Sequence, residues 1–414
     1  MTLRALLTMA VVLISGAALA AVPAVRPAPG TAPLAPMVFY VVKGAPDACG
    51  PGCDRWIAAE GQIDSAAAAR FRKFLRQFRD RSLPIYFASP GGNVDQAVAM
   101  GVMLREKPTV ARVGRSVAHE CGFEAQDSEV CLKLKQSGRE LRGEVWTLDA
   151  NCNSACPYLI LGATTREIAP DAVLAVHSSR IVLHFRGVGT PTSAMRAAAT
   201  ERGLQRGDRM LQDYIVKMGA DVGLLGLART IKFEDLHILT REEIARFGID
   251  RRAFAETPWI FENSGRAILR KTVTRRDEGD EAYRLVQWWL FCLTTEHFEL
   301  NFRRPAATSA VLPTFSISNG GLASLNLTMA PLKTSGFERW GLRMTRDSLQ
   351  ALASEPQFDF TETSQAPDGG RRARTAKFSS EGLPGALDRL AATCPPAKAN
   401  APLRTVGSRD SVAK

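Results

Sequence analysis

Three short segments carry residue types that could do chemistry together. The first is Ser89-Pro90-Gly91-Gly92-Asn93, which follows the apolar run Ile85-Tyr86-Phe87-Ala88. A proline fixes the turn, and two glycines allow backbone angles and close approaches that a side chain would forbid. An amide exposed in such a turn can donate to a developing oxyanion. The second is Asn151-Cys152-Asn153-Ser154-Ala155-Cys156-Pro157, ahead of the apolar stretch Tyr158-Leu159-Ile160-Leu161-Gly162. Ser154 would stand at a strand-to-helix turn, where free amides favour negative charge. Taken alone, Asn153 or Ser154 serves as readily as a helix cap, the commoner role. The third is Leu174-Ala175-Val176-His177-Ser178-Ser179, with an imidazole at a strand end. A serine hydroxyl is a weak nucleophile at neutral pH, so Ser154 needs a base such as His177 within reach.

These segments need a scaffold, and the pattern of the chain supplies one. Residues 37–42, 56–59, 84–88, 110–113, 145–148 and 173–176 read as strands. Phe71, Phe74, Leu75 and Phe78 recur at helical spacing within 65–81, and helices are also expected over 94–105, 191–218 and 240–247. The last ends at Gly248, a fitting stop. Such alternation predicts an α/β domain with a mainly parallel sheet over 37–258. Beyond Pro258 the character changes. Alternating stretches such as Phe298-Glu299-Leu300-Asn301-Phe302 predict a smaller β-rich C-terminal domain over 259–395, with short helices at 345–352 and 383–392. The polar tail, 396–414, is expected to be disordered.

In order and spacing, the segments resemble the Clp protease proteolytic subunit family, of the Clp/crotonase superfamily. That family has a strand-SPGG-helix oxyanion turn, a serine in a small-residue turn, and a histidine one helix and one strand downstream. Trp56-Ile57-Ala58-Ala59-Glu60-Gly61-Gln62-Ile63-Asp64 resembles its early strand, and Leu239-Thr240-Arg241-Glu242-Glu243-Ile244-Ala245-Arg246-Phe247-Gly248-Ile249-Asp250 its closing segment. The likeness covers roughly residues 37–255 and is similar to exported Clp-like proteins with an extra C-terminal domain. It implies a Clp/crotonase-like spiral α/β fold and a serine-type endopeptidase. Ser154 would be the nucleophile and His177 the general base and later acid. The amides of Gly92 and Ala155 would form the oxyanion hole. The family's third residue falls at Leu236, and a one-residue bulge would bring Asp235 there, with Glu234 as the alternative. Residues 114–144 form an insertion, holding Cys121 and Cys131, which lines the groove, covers it or decorates the surface. No metal or organic cofactor is implied. The partner implied is a polypeptide substrate; a homo-oligomer is compatible, and an ATP-driven unfoldase is not expected where ATP is absent.

Other readings stay open beside this one. A catalytically silent Clp-like fold could serve as a binding or assembly module in the cell envelope. A crotonase-type enzyme acting on thioesters fits the fold but not an exported location. A Ser–Lys dyad, used by related exported proteases with the same turn, finds no lysine in the expected place.

Export is read from the first twenty residues. Arg4, the apolar run from Ala5 and Ala18-Leu19-Ala20 have the order of a signal peptide. A Pro/Ala-rich linker over 21–36 follows. No later stretch is long and apolar enough for a bilayer, so a soluble periplasmic or secreted mature chain is expected. Net charge is +11, spread along the chain apart from Arg371, Arg372, Arg374 and Lys377. Without aromatic-studded basic motifs it does not point to nucleic acid, and a loose attraction to anionic envelope surfaces is more natural. The 8 cysteines suggest disulfides in an oxidising compartment. Proximity favours Cys49–Cys53, Cys121–Cys131 and Cys152–Cys156, leaving Cys292 with Cys394; zinc is the rival for the close pairs, but none has a suitably spaced histidine.

Overall fold

A computed structural model describes residues 34–396, apart from 79–81, 182–189, 265, 278, 280–281, 307–311, 321, 328–330, 335 and 366–368. The expected signal peptide, most of the linker and the tail beyond 396 lie outside the described residues.

The described elements start with the strands β1 (Val38–Lys43) and β2 (Arg55–Glu60), then helix α1 (Ala67–Gln77), β3 (Ile85–Ala88), α2 (Val94–Arg105) and β4 (Val110–Val113). The 114–144 segment follows as β5 (Arg115–Ala118), α3 (Glu129–Lys135) and most of β6 (Leu141–Trp146). Next come β7 (Asn151–Asn153), α4 (Cys156–Leu161), β8 (Thr165–Glu167), β9 (Val173–Val176), α5 (Ser193–Lys217), α6 (Gly223–Thr230), β10 (His237–Ile238) and α7 (Arg241–Arg246). One sheet has the order β5-β6-β1-β2-β3-β4-β8, and a smaller one β10-β9-β7. Strands β2, β3, β4 and β8 are parallel, as alternation with helices requires, while β1 lies antiparallel to β2. Ile57, Ile85, Phe87 and Ala111 of this sheet share a core with Phe71 and Leu75 of α1 and Leu159–Leu161 of α4. Phe71 is fully buried while Arg72, Lys73 and Arg76 are exposed, which explains the one-sided pattern of the helix.

The expected strand at 145–148 is displaced. Residues 141–146 form β6, antiparallel to β5 and parallel to the end of β1, and a separate strand, β7, carries the serine turn. The insertion is thus built into the sheet. Buried Lys135 reaches Glu60 at 2.9 Å, Tyr40 donates to the same carboxylate at 2.8 Å, and the Ser116 amide donates to its other oxygen. A cation with no such partner would be costly to bury.

From Phe254 the structure is dominated by strands: β11 (Phe254–Glu256), β12 (Ile260–Ser264), β13 (Arg266–Arg275), β14 (Arg284–Cys292), β15 (His297–Pro305), β16 (Thr314–Asn319), β17 (Leu322–Leu327), β18 (Leu332–Thr334) and β19 (Phe337–Thr345). Helix α8 (Arg346–Ser354), β20 (Gln357–Gln365), β21 (Arg371–Ser379) and α9 (Leu383–Ala391) complete it. A β11-β13-β14-β15-β19-β18 sheet, with β12 also on β13, faces a β17-β16-β20-β21 sheet across a core. Trp288, Phe302, Phe315, Phe358, Phe360 and Phe378 fill that core, and Phe302 and Phe360 lie 4.6 Å apart between ring centroids. Alternation of apolar and polar residues produces this directly, because successive strand side chains point to opposite faces.

The eight cysteines form Cys49–Cys53, Cys121–Cys131, Cys152–Cys156 and Cys292–Cys394, the pairing that proximity suggests. Among the described residues no helix is long and apolar enough to cross a membrane.

Candidate active site

Two turns are locked together at the ends of β3 and β7. The Ser89 amide donates to the Asn151 carbonyl at 2.7 Å, and the Asn153 amide returns a bond to the Ser89 carbonyl at 3.0 Å. Ser89 is fully buried, and its hydroxyl donates to the Gly61 carbonyl at 2.7 Å while accepting from the Gly91 amide at 3.1 Å. The serine of the first motif is therefore a clamp for the glycine turn.

Both glycines are required where they stand. Gly91 has φ +98°, and a Cβ there would lie 2.5 Å from the Asn153 oxygen and from Ser154 Cβ. Gly92 has φ +139°, and a Cβ would fall on the Ile63 carbonyl. The backbone holds this second contact, since the Ile63 amide donates to Gly91 O at 2.8 Å and the Asn93 amide to Ile63 O at 2.7 Å. Asn93 then caps α2 by accepting from the Gln96 amide at 3.0 Å.

Ser154 is not a helix cap. The residue ahead of α4 is Ala155, and no side chain caps that helix. Instead Ser154 has φ +59°, in the left-handed region that a residue with a Cβ adopts only at a cost of about 1–2 kcal/mol. Its amide donates to the Ala175 carbonyl at 2.8 Å, continuing the parallel β7–β9 ladder in which Asn153 stands opposite Ala175. The Cys152–Cys156 disulfide spans the turn, with both cysteines fully buried. The Gly92 and Ala155 amides have no acceptor among the described residues.

His177 follows two residues after Ala175, half-buried just beyond the end of β9. Its ring packs edge-on to Phe233, with centroids 4.9 Å apart. Burial holds its pKa below the ordinary histidine value, with the Ser178 backbone acting in the opposite sense. His177 Nδ1 is enclosed and has no hydrogen-bond partner among the described residues, and the same is true of Asn153 Oδ1 in the serine turn.

Among the described residues neither Asp235 nor Glu234 makes a hydrogen bond or ion pair with the imidazole. Asp235 is exposed, and Glu234 is ion-paired with Arg180, whose guanidinium also lies over the Phe233 ring. The reason is local: the Asp235 amide closes a turn onto the Lys232 carbonyl, and β10 starts only at His237. In this turn it is the aromatic Phe233, not a carboxylate, that meets the His177 ring. Nothing in the sequence distinguishes Phe233 from any other loop aromatic, so pattern reading had no means of finding it. Ser89, by contrast, lies inside the quoted motif, and its burial could have been inferred from the need to hold two strained glycines.

No family model matches the chain, and no curated protein matches it. Among solved structures, it is similar to a serine-to-alanine mutant of the 1510-N membrane-bound stomatin-specific protease. The identity is 16%, the TM-score 0.27, and the match covers 51% of this chain and 78% of that one.

Proposed function

We propose that the chain is an exported serine hydrolase with a Clp/crotonase-like domain, acting on peptide bonds in the periplasm or outside the cell. One observation carries this reading. Ser154 is held at left-handed φ between a glycine turn and the strand that leads to His177, flanked by amides with no acceptor among the described residues. Strain of this kind persists only when the surroundings enforce it, and it concentrates at functional sites. Two enclosed polar atoms without partners among the described residues, on Asn153 and His177, suit a site completed by a bound group.

In the proposed reaction the Ser154 hydroxyl attacks the substrate carbonyl while His177 takes its proton. The resulting oxyanion accepts from the Gly92 and Ala155 amides. Collapse expels the amine, which receives the proton from His177, and water releases the acyl group by the same steps. With Phe233 beside the ring and Asp235 in solvent, the site operates as a serine–histidine dyad. Four disulfides suit an oxidising compartment.

A fluorophosphonate probe tests this directly. The expected result is one adduct, on the peptide containing Ser154, lost in both Ser154→Ala and His177→Ala. A folded protein that takes up no probe would leave the binding-module reading in its place.

A further inference from the structure

The N-terminal half of β1 has an open side. On one flank β1 pairs with β2 from Val38↔Glu60 through Lys43↔Arg55. On the other it meets β6 only through Val42↔Leu141 and Lys43↔Arg142. The chain entering β6 passes through Gly138 at φ +76° and does not continue the ladder, so among the described residues no strand pairs with Val38–Val41 on that side. A cavity of about 400 Å³ occupies this notch, between β1, α1 and the 136–139 turn. Its apolar wall is Phe39, Phe74 and Phe78, with Phe39 and Phe74 6.0 Å apart and Phe74 stacked on Phe78 at 5.7 Å. Its charged residues among those described are Arg70, Lys73 and Arg139, with no acid beside them. Arg70 is neutralised by Asp64, whereas the exposed Lys73 and Arg139 have no ion pair among the described residues.

We infer that this notch is a docking site for an extended polypeptide segment of another protein, carrying alternating apolar and acidic side chains. The segment would add to the open flank of β1 through main-chain hydrogen bonds. Its apolar side chains would rest on the aromatic wall and its carboxylates would face Lys73 and Arg139. Strand addition of this type derives affinity from the backbone and specificity from pockets for alternate side chains. Charge argues against the chain's own ends as occupants. Residues 21–33 contain Arg26 and no acid, and several prolines that cannot donate to a ladder. Residues 397–414 contain Lys398, Arg404, Arg409 and Lys414 against one acid, Asp410. The edge strand β21, by contrast, carries Arg371, Arg372, Arg374 and Lys377, the usual device against strand addition. The inference does not depend on the hydrolase reading.

Fluorescence anisotropy with a labelled, capped Glu-Val-Glu-Val-Glu-Val peptide tests it, using full-length protein before and after inactivation by the fluorophosphonate. Binding is expected in both samples, weakened by salt, and lost when lysine replaces glutamate. N-methylation of one alternate set of amides should abolish binding and of the other set leave it intact, because only one set faces β1. The Lys73→Glu/Arg139→Glu double variant should keep its melting temperature and bind about tenfold more weakly, as two reversed exposed charges allow. Equal binding of the lysine peptide, indifference to both N-methylated registers, or no binding at millimolar peptide would overturn the assignment. So would sedimentation showing a dimer that the double variant dissolves, since the groove would then belong to a second copy.

Discussion

At the residue scale, the outcome turns on Ser154 and its two glycines. Ser154 caps no helix and sits at φ +59°, so removal of its hydroxyl is expected to leave folding intact. Ser154→Ala should eliminate probe labelling with little change in thermal melting. Ser154→Gly should also be inactive yet melt higher, since glycine relieves about 1 kcal/mol of left-handed strain. A Ser154→Gly protein that melts well below the parent would show that the turn is not strained. Gly92→Val is expected to lose both labelling and about 3 kcal/mol or more of stability, because a Cβ there meets the Ile63 backbone and cannot be accommodated by a side-chain shift. The pH profile follows from His177. Burial holds its pKa under 6.5, so the imidazole stays neutral, and able to accept the serine proton, to lower pH than an ordinary histidine. The acidic limb of kcat/KM should therefore have its midpoint below pH 6.5. A midpoint above that value would mean that a carboxylate stabilises the imidazolium after all.

At the scale of elements, two disulfides of unequal reach separate stability from activity. Cys152–Cys156 joins residues 4 apart across the nucleophile turn, whereas Cys292–Cys394 joins residues 102 apart, at the end of β14 and shortly after α9. On the chain-entropy account the long loop contributes about 4.7 kcal/mol and the short one about 2 kcal/mol. Replacing Cys292 and Cys394 by alanine should thus lower the melting temperature more, while probe labelling persists below the new transition. Replacing Cys152 and Cys156 should reduce labelling more than stability, because the turn then loses the bond that encloses Ser154. Paired melts and labelling rates for the two double variants decide the matter; the opposite ranking in both would remove the assigned roles. The capping box at α7, where Thr240 and Glu243 satisfy each other's backbone amides, is the clearest element boundary written in the chain.

At the scale of the whole molecule, the β-rich part is tied to the segment that carries the histidine. Arg270 of β13 is buried and bonds Glu262 at 2.6 Å and Asp171 at 3.0 Å. Burial pushes the Asp171 carboxyl up, and Arg270 pulls it back. The Asp171 carbonyl accepts from the Asp149 amide, and the Val173 amide donates to the Ala150 carbonyl, so this corner sets β7 beside β9. Arg270→Met should strand two buried carboxylates and cost about 3–5 kcal/mol. Labelling of Ser154 should fall in the same variant at temperatures where it remains folded, as read by circular dichroism and probe uptake side by side. Unchanged labelling in a folded, destabilised variant would show that the two parts are coupled in stability alone.

Local pattern was sufficient for much of this. Helical spacing marked Phe71 and Leu75 as core, alternation marked Phe298, Leu300 and Phe302, and proximity paired the cysteines, because these depend on residues near one another in the chain. The SPGG and serine turns were likewise legible, since proline, glycine and small residues restrict the backbone by themselves. What only the tertiary structure decided depends on chain segments far apart. The Asp235 side chain was one residue from the expected position, yet the turn at Lys232–Asp235 leaves it in solvent and sets Phe233 on His177. The insertion is fastened to the sheet where Glu60, in β2, accepts the buried Lys135. Ser154 proved strained and not capping because Gly91 and Ala175, from two other segments, hold its turn. A side chain's neighbours across such distances are set by how strands stack and turn, and no window of sequence contains them.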